Sequence, residues 1–91
     1  MEIKAEELKA WVEDELYYAD KPERAVVSYR ERLFLGGYRQ IDEKDVAVDA
    51  GAIAEALNNH GKESVDVGKV RTYNTDDGNK YPWTVEFSVY I

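Results

Sequence analysis

Residues 83–91, Trp-Thr-Val-Glu-Phe-Ser-Val-Tyr-Ile, alternate apolar and polar side chains, the period-two pattern of a β-strand with one face against a core. Trp83, Val85, Phe87, Val89 and Ile91 point one way and Thr84, Glu86, Ser88 and Tyr90 the other. Any core must be built against the first row. Upstream, Asp76-Asp77-Gly78-Asn79 supplies a tight turn, because Asp-Gly tolerates the positive φ angles a two-residue loop needs. Residues 64–74 and 81–91 are therefore expected to form one long antiparallel hairpin. Centring its loop on Asp77-Gly78 sets Val70 opposite Val85 and Lys69 opposite Glu86. A β-bulge at Gly68 is then needed to bring Val65 and Val67 to the core face.

The rest of the chain reads as helix. Over residues 3–19, Ala5, Leu8, Val12 and Leu16 share one stripe, with Trp11 and Tyr18 at its margin. Asp20-Lys21-Pro22-Glu23 resembles a stop and restart, with Asp20 as N-cap of a second helix over 21–35 that ends at Gly36-Gly37. The alternative is a strand over 25–35, which would add a third strand to the hairpin. A third helical seam, Val46, Ala50, Ile53 and Leu57, lies within 43–59; its firm part begins at Asp49 as N-cap, because Gly51 weakens a helix interior. Asn58-Asn59-His60-Gly61 stops it. The expectation is one α+β domain over residues 1–91, three helices followed by the hairpin. That order resembles winged-helix domains in topology, but an acidic third helix is not one that reads DNA.

The chemistry-bearing residues are sparse. With no cysteine there is no disulfide, thiolate nucleophile or thiolate metal site. His60 is the single histidine and reads as a helix-end residue rather than a zinc ligand. Residues 74–79 lack the alternating acids and the later glutamate of a calcium loop. Paired carboxylates for glycosidase chemistry can always be found among nineteen acids, but a single small core leaves little room for a cleft. No enzymatic activity and no cofactor are expected.

Charge is the informative feature. The net charge is −7, with acidic blocks at 1–20 and 41–60 and a basic segment, 21–40, between them. Arg24, Arg30, Arg32 and Arg39 are expected to pair with the acidic first helix, and direct binding to nucleic acid is disfavoured. Glu6, Glu7, Glu13 and Asp14 on that helix, with Asp42, Glu43, Asp45 and Asp49, are the candidate contacts to a basic partner, joined by Tyr17 and Tyr90. Carboxylates one helical turn apart roughly match the spacing of phosphates along a strand. The profile resembles phage-encoded inhibitors, anti-CRISPR proteins and DNA mimics among them. The resemblance implies a small acidic protein that occupies a basic, nucleic-acid-binding surface. Two alternatives are an adaptor that self-associates as a homodimer through the hairpin edge and tyrosines, and a weak nucleic-acid binder using the arginines of 24–39. The opening residues are too charged for a secretion signal, and no run of about 18 apolar residues suits a membrane. A cytoplasmic location is expected, the host cytoplasm if the chain is phage-encoded.

Overall fold

The structure, a computed structural model, describes residues 1–75 and 81–91. The chain order is β1 (Glu2–Lys4), α1 (Ala5–Tyr18), β2 (Arg24–Arg32), β3 (Tyr38–Val46), α2 (Ala50–Leu57), β4 (Ser64–Thr75) and β5 (Tyr81–Tyr90). The five strands form one mixed sheet in the order β1-β4-β5-β2-β3. All neighbours are antiparallel except β2 and β5, which run parallel at its centre. Both helices pack on one face, and their side chains Leu8, Val12, Ile53 and Leu57 form a single core with Ala25, Val27, Val65, Val67, Val85, Phe87 and Val89.

This corrects the expectation of three helices and a hairpin. Residues 24–32 are a strand, close to the alternative weighed for 25–35, but the sheet has five strands rather than three. Ala25, Val26, Val27 and Ser28 are buried in succession because β2 is central and covered on both faces. Such a strand reads as a continuous run, without the alternation of a half-buried one. The charges Arg30-Glu31-Arg32 that argued against a strand lie at its far end, where Arg30 approaches Glu86 and Glu31 meets Arg39. Asp20 is not an N-cap: it and Lys21 both adopt left-handed φ angles, 57° and 56°, and turn the chain into β2. The helix placed over 43–59 is really the end of β3 followed by the shorter α2. Its start was legible, since Asp49 caps α2 by accepting from the Ala52 N–H at 3.0 Å.

The closing strand was placed correctly, but both its rows are buried: Val85, Phe87 and Val89 beneath the helices, Thr84, Glu86 and Ser88 on the other face. A bulge does fall beside Gly68, between the pairs Gly68↔Ser88 and Arg71↔Glu86. The register differs from the expected one: Thr72 rather than Val70 faces Val85, and Arg71 rather than Lys69 faces Glu86. The turn assigned to Asp76–Asn79 lies outside the described residues. Gly68 has a second role, because a Cβ there would sit 3.0 Å from the Tyr90 ring. Its bare backbone lets that ring lie across β4.

Two aromatic donors tie the layers together. The Trp83 indole N–H donates to the Ala19 carbonyl at 2.6 Å, and the Tyr29 hydroxyl donates to the Ala56 carbonyl at 2.6 Å. Each strand is thereby fixed against the end of a helix, and a buried polar group keeps a partner.

Candidate functional site

The candidate contacts divide into three groups. Glu6, Glu7, Glu13 and Asp14 are exposed along α1, and Tyr17 stands at its end, edge-on to Tyr18 with ring centres 5.2 Å apart. Asp42, Glu43 and Asp45 lie on β3, the strand at the opposite side of the sheet from β1. Because α1 packs near β1 and β4 while α2 packs near β2 and β3, these acids do not join those of α1. Three strand spacings, roughly 14 Å, separate β4 from β3. All four acids of the second block have local partners: Asp49 accepts at its cap, Asp45 meets Arg24, whose Nη2 is 2.7 Å from its carboxylate, Asp42 accepts from the Glu43 N–H at 2.9 Å, and Glu43 accepts from Gln40 Nε2 at 3.2 Å. Tyr90 lies on the face of the sheet away from the helices and meets Tyr38, with ring centres 4.5 Å apart.

Arg24, Arg30 and Arg39 meet acids of the sheet, where pairing with α1 was expected. Arg24 meets Asp45, Arg39 meets Glu31, and Arg30 approaches Glu86. Each pair is set by the sheet register, which brings Arg24 beside β3 and Arg30 beside β5.

The most prominent exposed feature was missed by sequence reasoning. Leu33 N–H donates to the Gly37 carbonyl and Gly36 N–H to that of Leu33, closing a turn with Phe34 and Leu35 at its apex. Gly36 and Gly37 have φ of 98° and 81°, which other residues adopt only with strain. At that apex Phe34 is 101% exposed and Leu35 94%. Every β3 residue from Tyr38 to Asp45 is exposed, and among the described residues β3 pairs with β2 alone, so its other side is an open sheet edge. A short apolar run before Gly-Gly was a usable signal, but within a helical reading it looks like a buried stripe.

His60 follows the C-cap Asn58 and precedes Gly61, so its helix-end placement holds. Among the described residues neither ring nitrogen has a hydrogen-bond partner, and burial, then Lys62, holds the imidazole below its ordinary value. The neutral form is thus favoured in the folded state. Stability is expected to be retained above about pH 6.5, where the unfolded histidine is also neutral, and to fall as pH drops below it. In His60→Gln the loss between about pH 7.5 and 5.5 should shrink, as read from denaturant midpoints. An unchanged loss would show that other groups cause it.

Among the described residues no group of three His, Asp or Glu could hold a metal ion. No described helix is long and apolar enough to cross a membrane. No family model, curated protein or solved structure matches the chain.

Proposed function

We propose that the chain is a non-enzymatic protein-binding domain, an inhibitor that docks through the β2–β3 hairpin onto a basic, nucleic-acid-binding surface of its partner. The observation that carries this reading is the complete exposure of Phe34 and Leu35 at a tightly closed apex. Large apolar side chains held in water at a defined turn are poised to enter a pocket, and interface energy concentrates in such anchors. Beside them, Asp42 and Glu43 line an exposed edge strand, where a basic partner strand could add to the sheet and neutralise them. The acids of α1, on the other side of the molecule, serve solubility in this reading.

The test is a pair of charge-reversal sets measured against the captured partner. Asp42→Lys with Glu43→Lys should weaken binding by about tenfold or more at low salt. Glu6→Lys, Glu13→Lys and Asp14→Lys together should change it little. Wild-type affinity should fall steeply as salt rises toward about 0.5 M, where the Debye length is only a few ångströms. Affinity indifferent to salt would remove the basic-surface assignment; loss from the α1 set alone would move the site to the helix. Self-association is the second reading, favoured by the same open edge. A sedimentation coefficient independent of concentration would dispose of it.

A further inference from the structure

The face of the sheet away from the helices is built unlike a merely solvated surface. Ser28, Thr84, Glu86 and Ser88, on the two central strands, are all buried there, between 0% and 5% exposed, with no helix above them. Longer side chains supply the cover. The Glu86 carboxylate lies 3.2 Å from Arg71 Nε and 4.0 Å from Arg30 Nη2. Tyr90 lies over Gly68 and against Tyr38. Arg30, Lys69, Arg71, Glu86, Tyr38 and Tyr90 line a groove of about 630 Å³ over Ser88. That volume is in the range of small-molecule sites, about 300–1,000 Å³.

Three cations and one carboxylate leave this groove a surplus of two positive charges, in a chain whose total is −7. A guanidinium carries five N–H donors, so a single carboxylate between two arginines leaves donors for another anion. Lys69 adds a third cation from the bulge, where its backbone is held at φ 37°, a left-handed conformation uncommon outside glycine. Bulges re-aim side chains in this way near binding sites. The two tyrosine rings, tilted 58° to each other, offer an aromatic wall beside the cations.

We propose that this groove binds a small phosphate monoester attached to a planar ring, the chemistry of a nucleoside monophosphate. A monoester carries about −1.5 to −2 charges at neutral pH, matching the local surplus, and its oxygens accept the forked donors of arginine. The ring lies against Tyr38 and Tyr90. The 5′-phosphorylated end of a single strand shares this chemistry, but each further phosphate would enter the field of an acidic chain, so the ligand is the free nucleotide. This site lies on the sheet face, and its existence does not depend on the hairpin's partner.

The experiment is a titration of the isotope-labelled protein with AMP, adenosine, inorganic phosphate and a short 5′-phosphorylated oligonucleotide, followed by NMR. AMP should give saturable shifts at Lys69, Arg71 and Tyr90, with adenosine and phosphate each weaker by about tenfold or more. Arg71→Ala should weaken AMP by about tenfold. Lys69→Gly, which removes a charge while relieving the left-handed backbone, should weaken it about threefold with the fold intact. Absence of saturation at millimolar AMP, or wild-type affinity in both variants, overturns the site. An oligonucleotide that binds as tightly as AMP or tighter overturns its assignment to a free nucleotide.

Discussion

Phe87→Ala is expected to destabilise the domain by about 3–5 kcal/mol, the cost of emptying a buried aromatic site. Phe87 is fully buried on β5 and meets Trp11 of α1 edge-on, with ring centres 5.8 Å apart and planes at 74°. One side chain thus joins the middle of the sheet to the first helix. Domains are stable by roughly 0.05–0.15 kcal/mol per residue, so a chain of 91 residues has about 5–14 kcal/mol in hand. The variant should keep about 0–11 kcal/mol, marginal only if the wild type lies at the low end of that range. Guanidinium denaturation followed by circular dichroism measures the loss, and a change below about 1 kcal/mol would show that the Phe87 site collapses around alanine.

The second large effect separates binding from folding. Phe34→Ser with Leu35→Ser should reduce partner affinity by about a hundredfold or more, since two anchors at about 2 kcal/mol each exceed that factor. Stability should stay within about 0.5 kcal/mol of wild type, because both side chains are exposed and touch no core. Unchanged affinity with the fold intact would remove the hairpin apex from the interface. Together with Phe87→Ala the double variant forms a contrast: one side chain holds the domain, the other two are proposed to face a partner.

How far the sequence reveals this molecule depends on where each strand lies. The row Val85, Phe87 and Val89 was legible because alternation survives in β5 even though both faces are covered. The partner row there is small and polar, Thr84, Glu86 and Ser88, and so keeps the contrast. In β2 the equivalent positions include Val26 beside Val27, the contrast disappears, and a helical wheel accommodates the run equally well. β3 fails for the opposite reason. From Arg39 to Asp45 it has one apolar residue, Ile41, and its strand conformation comes from pairing with β2 rather than from a pattern of its own. β1, three residues long, is too short for any periodicity. The hairpin register shifted because β4 departs from regular pairing twice, between Gly68 and Arg71 and between Tyr73 and Thr75.

The surface residues follow the same logic. That Asp42, Glu43 and Asp45 are exposed was readable; that they lie on a sheet edge remote from α1 was not, because only topology sets that distance. Tyr90 was singled out as an interface residue, but Tyr38, fifty-two positions earlier, could not be joined to it without the β2–β3 and β2–β5 pairings. Glu86 was read as an outward residue paired with Lys69. The displaced register instead places it beside Arg71, and the parallel neighbour β2 adds Arg30.

The parallel seam between β2 and β5 has a kinetic consequence. Each residue there pairs with one sixty positions later in the chain, Arg24 with Thr84 and Arg30 with Tyr90. The β2–β3 and β4–β5 pairings are local and can zip early, whereas the seam must close a long loop before it is rewarded. Folding should therefore wait on the docking of two preformed hairpins. Brief opening of the native protein should run along the same line, with amide protons of β2 and β5 exchanging as one cooperative unit.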